Sequence, residues 1–353
     1  MMQKHITFLV LLFCAVVVNS CQYPVDSSDL PDPQRFIVID AELSETYARV
    51  SVTYTLTEVT PQGAYLFPKP PKATAYVLDS KGNRADFKID GSRDTTFRGT
   101  IGETYKLYVT ADGETYESSE ETMRRCPEID TLRPVYAREP NRDPNDLLYD
   151  GFDVYAEFQD IAGQDNYYQW DWVHYERRIS CDKIMEDGRE VQVPCTPYDC
   201  WSIKYNTRVI AQSDKLRDGN PIAQRIVRIP FATPPGAYYL RVEQRAVTPR
   251  VYDYLKALEI QTQNVGSIFD IPAQTRFSPN VSNVNNPKEQ ILGVFNVFSA
   301  RKKVLFINMR QEIPGAKAKF VGDQSPFTSN PLLQSPCIEG QFRTKMRPEG
   351  WMD

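Results

Sequence analysis

The cysteines are the residues whose types and spacing suggest specific chemistry. Cys21 follows the apolar run 8–18 and the small residues Asn19 and Ser20. A short apolar segment that ends in small residues is typical of a secretory signal peptide. A cysteine directly after it indicates cleavage before Cys21 and acylation of its thiol and its new amine. We therefore predict that Cys21 is a lipid attachment site.

A second pair of cysteines suggests a disulfide bond. Cys195 and Cys200 flank the turn-prone stretch 196–199, and an exported chain meets an oxidising compartment in which disulfides persist. We predict that they are bonded to each other, with two buried thiols as the alternative. Their spacing differs from the two-residue gap of common zinc sites, and one histidine, His174, remains after residue 20. We therefore predict no metal site.

The remaining polar residues do not form a recognisable catalytic motif. Triad chemistry needs a base oriented by a third group, and no serine lies in a nucleophile-elbow sequence that could work with His174. Paired carboxylates can hydrolyse glycosides, but the sequence does not single out two of them. Four acids, Asp143, Asp146, Asp150 and Asp153, lie in one loop region and could form a calcium site. A solvated acidic loop is favoured, because their spacing matches no known calcium loop. We predict no catalytic residue and no cofactor.

Charge and hydropathy argue against a nucleic-acid-binding protein and against a protein with a membrane-spanning helix beyond the signal. Of the 353 residues, 41 are basic and 46 acidic. Removal of residues 1–20 takes away one basic residue, so the formal charge becomes (41 − 1) − 46 = −6. Without a clustered basic surface, a nucleic-acid partner is excluded. Beyond the signal, no apolar stretch approaches the roughly 20 residues that span a bilayer, so we expect the lipid alone to hold the protein at the membrane.

The elements that must position these residues are mainly strands. Short β-type segments separated by Gly and Asp turns predict an immunoglobulin-like β-sandwich, followed by a larger β domain that carries one α-helix. The predicted organisation, in chain order, is a signal peptide at 1–20, an acidic proline-rich tether at 21–34, the sandwich at 35–124, a linker at 125–134, the second β domain at 135–320 with its helix near 249–263, and an irregular tail at 321–353.

One strand of the second domain is unusually aromatic. Alternation over 167–176 places four large side chains on one face, namely Tyr168, Trp170, Trp172 and His174. This face can line a ligand pocket, or it can fill the core of the domain while Asp171 and Glu176 face water. The core is the favoured interpretation.

The segment that ends the second domain resembles a known family. Tyr252–Asp270, Asn280–Pro287 and Leu292–Phe295 are similar to the signature of family 4249 of domains of unknown function, lipoproteins of Bacteroidota. The aromatic strand and the Cys200-Trp201 pair are similar in order and placement. Chemically, Thr248 could cap a helix that plugs one end of the β domain, and Asn283, Asn285 and Asn286 could bond in turns.

The resemblance implies a location and an association, and it offers no catalytic residues to transfer. Such proteins are outer-membrane lipoproteins, often encoded beside TonB-dependent receptors. We therefore hypothesise a lipoprotein anchored to one face of the outer membrane, which acts without enzymatic activity as an accessory or substrate-capture partner of a TonB-dependent receptor in nutrient import. The alternatives are a surface adhesin or structural lipoprotein and, in third place, a hydrolase.

Overall fold

The computed structural model describes eleven stretches of the chain: 35–55, 58–59, 65–66, 68–70, 72–137, 151–177, 183–192, 200–230, 237–263, 279–308 and 337–352. The predicted signal peptide, Cys21 and the tether lie outside these residues. Within them, no helix is both long and apolar enough to cross a membrane. Residues 36–55 and 67–353 form one compact unit.

The second unit, Met1–Arg35 with Leu56–Leu66, is small and contributes one antiparallel pair of strands. The strands are β3 (Glu58–Val59) and β4 (Tyr65–Leu66).

A ten-stranded sheet forms the frame of the large unit. Its strands follow the spatial order β23 (Arg343–Thr344), β16 (Trp201–Tyr205), β13 (Tyr167–Arg177), β19 (Ala237–Ala246), β22 (Phe295–Asn308), β1 (Ile37–Ser44), β2 (Ala48–Tyr54) and β7 (Asp90–Asp94), with β17 (Ala211–Ser213) beside β13 and β21 (Ile291–Leu292) beside β1. The long strand β22 joins strands that are distant in sequence, because it pairs in parallel with β1 and antiparallel with β19.

Two further sheets and a hairpin complete the strands that the structure describes in this unit. The larger sheet holds β20 (Val281–Asn283), β9 (Glu114–Ser118), β8 (Thr104–Ala111), β5 (Ala73–Asp79) and β6 (Arg84–Phe87), with β10 (Glu121–Thr122) beside β8. The smaller sheet holds β11 (Thr131–Ala137), β12 (Gly151–Gln159) and β18 (Pro221–Pro230), and β14 (Lys183–Glu186) pairs with β15 (Arg189–Gln192).

One face of the ten-stranded sheet supplies both main cores. Alternate residues of β1, such as Ile39 and Leu43, pack with Val77 and Leu107 of the larger accompanying sheet. Farther along the frame, β13 and β19 pack against β11, β12 and β18. Strand alternation explains this arrangement, since residues two apart share a face. The frame therefore acts as one layer of two adjoining sandwiches.

The prediction of a mostly β fold with sandwich-like layers is confirmed. A helix predicted near 249–263 is present as α1 (Pro249–Gln263) and is the one helix among the described residues. Strands from both predicted β domains contribute to the ten-stranded frame and to one core, since Phe295 and Val297 pack with Ile39. The domain boundaries themselves stay a prediction.

Candidate functional site

The other face of the ten-stranded sheet carries charged side chains where a second apolar core could have formed. Cross-strand pairing aligns Glu42 with Arg49, and it aligns Asp171 with Glu243. Lys302 lies opposite Glu243 on the next strand. We call this row of residues the charged strip; it consists of Asp40, Glu42, Arg49, Asp171, Glu243, Arg245 and Lys302.

Arg245 lies at the centre of the charged strip. Its side chain is 9% exposed, and its Nε and Nη1 atoms lie 2.7 Å from Glu243 Oε1 and 3.1 Å from Glu42 Oε1. The guanidinium carbon also lies 4.4 Å from the centre of the Phe298 ring. A planar guanidinium can satisfy two carboxylates at once. Arg245 therefore links β19 to β1 across the frame.

The pKa values of the outer carboxyl groups of the charged strip, Asp40 and Asp171, shift in the opposite direction from that of Glu42. The Asp40 side chain keeps 43% of its accessible surface and pairs with Arg49 at 2.7 Å, yet burial raises its pKa. Burial also raises the pKa of Asp171, against the nearby charge of Arg245. At Glu42 burial acts in the same direction, but Arg245 and Arg49 outweigh it and lower the pKa.

The Asp40 carboxyl group is accessible to solvent, and burial nevertheless raises its pKa. Carboxyl groups with shifted pKa values are more frequent at functional sites than elsewhere. The strip offers paired charges and partly dehydrated carboxyls, so it is suited to a polar or cationic solute.

Two packed structures flank the charged strip along β22. At one end, α1 packs Val251 and Leu255 against Tyr47 and Phe298. At the other end, Trp351 of the C-terminal segment, residues 337–352, packs on Tyr239 and Phe306, with ring centres 6.0 and 5.4 Å away. Because Ala300, Lys302 and Val304 separate these ends on the same face, the part of the strip around Arg245, Glu243 and Lys302 lies between the two packed clusters.

A disulfide fixes the C-terminal segment to the frame. Cys200 is bonded to Cys337, 137 residues away in sequence, and β23 pairs with β16 beside the bond. The predicted Cys195–Cys200 bond is therefore wrong, because the pairing of two distant strands brings a different cysteine to Cys200. Cys195 lies outside the described residues. Cys126 is a buried free thiol.

The C-terminal segment also exposes large apolar side chains. Its four exposed apolar residues are Ile338, Phe342, Met346 and Met352, with exposed fractions of 72%, 61%, 76% and 56%. Phe342 lies beside the exposed ring of Tyr205, and their ring centres are 6.2 Å apart. A concentration of exposed apolar side chains is typical of contact surfaces for proteins or membranes.

The aromatic face of β13 is part of the core. Tyr168, Trp170 and His174 are all buried, whereas Trp172 is partly buried. His174 Nδ1 lies 2.7 Å from the carbonyl oxygen of Tyr239, so its ring is held by the neighbouring strand. This confirms the favoured interpretation.

The expectation that Glu176 faces water is wrong. Glu176 is buried and shares a face with His174, two residues earlier. His174 Nε2 lies 3.2 Å from Glu176 Oε1, and Lys204 forms an ion pair with the same oxygen. The charge of Glu176 is therefore balanced within the protein. Asp171 is partly exposed, as part of the charged strip.

The helix and the asparagine segment have the structural role proposed for them. Tyr254 of α1 accepts a hydrogen bond from the backbone N–H of Gly293, at 3.0 Å. Asn283 Oδ1 accepts hydrogen bonds from the N–H groups of Asn285 and Asn286, at 2.8 and 3.1 Å. Thr248 precedes the helix, but its buried hydroxyl has no hydrogen-bond partner. The predicted capping bond is therefore absent from the described residues.

Sequence reasoning did not find the charged strip. Its residues alternate with apolar ones, as solvent-facing residues of any strand do. The only sequence signal was the number of charges in strands that also carry core residues, and this signal does not reveal which charges meet.

The fold and the charged strip define a class of protein: a mostly β chain with a polar face bordered by a helix and a disulfide-fixed segment. The chain belongs to the family described as Domain of unknown function (DUF4249), whose profile matches residues 22–304. No curated protein matches the chain.

Proposed function

We propose that this protein is an outer-membrane-anchored lipoprotein, attached through Cys21, that serves as a non-enzymatic accessory or substrate-capture partner of a TonB-dependent receptor in nutrient import. The C-terminal segment carries this proposal. Four exposed apolar side chains occur within 15 residues that a disulfide and Trp351 hold against the frame. A fixed apolar surface loses little conformational entropy on docking, so it suits a protein partner.

The charged strip supports the second part of the proposal. Capture of a polar solute requires groups that compensate for its lost hydration. Asp40 and Lys302 are the accessible ends of the network, with side chains 43% and 55% exposed. Each of them can give up its ion pair within the protein and form an ion pair with a bound solute. Arg245 meanwhile remains fixed between Glu42 and Glu243.

Co-purification from detergent-solubilised membranes tests the partnership. We expect tagged wild-type protein to bring down a β-barrel receptor, and we expect Phe342→Asp and Met346→Asp to reduce its recovery at least tenfold. Ile260→Asp is the matched control, because Ile260 is also exposed but lies on α1. If wild-type protein recovers no β-barrel receptor and binds no solute from culture medium, the proposal is wrong.

The anchor has a separate test. Cys21→Ser should release the protein from the membrane fraction, because the lipid is its only proposed attachment. Continued membrane association of this variant would show that the anchor is misassigned, even if the receptor partnership is correct.

A further inference from the structure

Two loops outside the charged strip bring three aspartates together. Asp160 begins the loop 160–166 after β12, whereas Asp214 and Asp218 lie in the loop 214–220 before β18. One carboxylate oxygen from each lies within 4.8 Å of the others. The loops are in close contact, since a Cβ added at Gly219 would lie 2.6 Å from the Cβ of Ala162.

Two of the three carboxylates are buried, and the cluster has no cationic side chain among its partners in the described part of the chain. Asp160 and Asp214 are 4% and 1% exposed, whereas Asp218 is exposed. None of the ion pairs in the described part of the chain involves the three. Their hydrogen-bond donors are neutral. Asp160 accepts hydrogen bonds from Tyr168 Oη at 2.5 Å and from the N–H of Gly219 at 2.8 Å. Asn166 Nδ2 donates to Asp214 at 3.0 Å and to Asp160 at 3.3 Å, and the N–H of Gly163 donates to Asp218 at 2.9 Å.

Asp214 gives an independent indication of a ligand. Its Oδ1 atom is buried and accepts no hydrogen bond from any described residue. A buried carboxylate oxygen without a donor is costly, and a buried charge without a partner is costlier. Burial and then the charge of Asp160 raise the pKa of Asp214, against hydrogen bonds from Asn166. Positive charge between the three carboxylates would remove both penalties.

We propose that Asp160, Asp214 and Asp218 bind a calcium ion. A site made only of oxygen ligands favours a hard cation. Three carboxylates on irregular loops suit the flexible coordination of calcium better than the near-ideal octahedron that magnesium requires. The site is open to solvent on the side of Asp218, which is exposed.

Isothermal titration of the full-length protein, stripped with EDTA, tests the site with CaCl₂ and MgCl₂ as probes. We expect one Ca²⁺ per chain with a Kd below about 1 mM, and weaker binding of Mg²⁺. Asp214→Asn and Asp218→Asn should each weaken Ca²⁺ binding at least tenfold. Asp165→Asn is the matched control, because it removes the same charge from an exposed position in the neighbouring loop, which also carries Asp160.

The measurements distinguish loss of calcium binding from loss of folding. Asp218 is exposed, so Asp218→Asn should fold even if Asp214→Asn does not, and circular dichroism checks both. Without calcium, Asp214→Asn should keep or raise the Tm, because it removes one of two adjacent buried charges. Absence of binding at several millimolar Ca²⁺, equal binding by wild type and Asp218→Asn, or tighter binding of Mg²⁺ would each overturn the proposal.

Discussion

Removal of the Cys200–Cys337 bond should cost this protein much of its stability. The bond closes a loop with a sequence separation of 137 residues. In the chain-entropy model, a loop of this length restricts the denatured state by about 17 cal/mol/K, which corresponds to about 5 kcal/mol at 25 °C. Because native domains are typically stable by only about 5–15 kcal/mol, the double variant Cys200→Ala/Cys337→Ala should be close to unfolding.

Urea denaturation followed by tryptophan fluorescence measures this effect. Trp351 and Trp201 lie in the cluster beside the bond, with ring centres 5.8 Å apart, so they report on it directly. We expect a lower midpoint and a steeper dependence on urea, because the denatured chain without the cross-link exposes more surface. The matched control is Cys126→Ala, which removes a buried sulfur that forms no disulfide.

One result would refute the reasoning. If the double variant loses no more stability than Cys126→Ala, the loop between the two cysteines does not restrict the denatured state as the entropy model requires. The fixed position of the C-terminal segment would then depend on the packing of Trp351 and on the pairing of β23 with β16.

Three further predictions concern buried charge and backbone geometry. Arg245→Met should destabilise the fold by about 1–3 kcal/mol in urea denaturation, because Glu42 and Glu243 lose the buried partner that they share and keep only Arg49 and Lys302; an unchanged midpoint would contradict this. Gly293→Ala should reduce the Tm strongly, since φ is +93° and the new Cβ would lie 2.1 Å from the carbonyl oxygen of Ile39; wild-type melting would show that β1 can move. At Glu176 burial acts to raise the pKa, but His174 and Lys204 outweigh it and lower the pKa to about 2. The stability from this carboxylate is therefore complete above its unfolded pKa near 4.5 and is lost as the pH falls towards 2, so Glu176→Gln should flatten the loss of Tm in that interval.

The regular elements were largely predictable because their signals are local. Pro249 at the first helical position and the spacing of Val251, Tyr254 and Leu255 predicted the helix, and its observed bounds agree. Alternation over 167–176 correctly placed Tyr168 and Trp170 on one buried face.

The charged strip, the disulfide and the aspartate cluster were not predictable. Glu42 and Arg245 are 203 residues apart, and Asp160 and Asp214 lie in separate loops. Neither spacing follows a motif, because each pair meets only after strands distant in sequence have paired. Alternation places Glu176 on the buried face with His174. It was wrongly expected to face water because its cationic partner, Lys204, lies on another strand and is not evident from the local sequence.

By itself, the sequence determined the mostly β class, the helix, the aromatic core strand and the family resemblance. These properties depend on periodicity and turn chemistry within about 20 residues. Tertiary structure alone decided that β22 joins β1 to β19, that Cys200 bonds Cys337, and that Asp214 lies beside Asp160. The physical reason is that strand pairing is non-local. Backbone hydrogen bonds allow many partners, and only the burial of a complete face selects one of them.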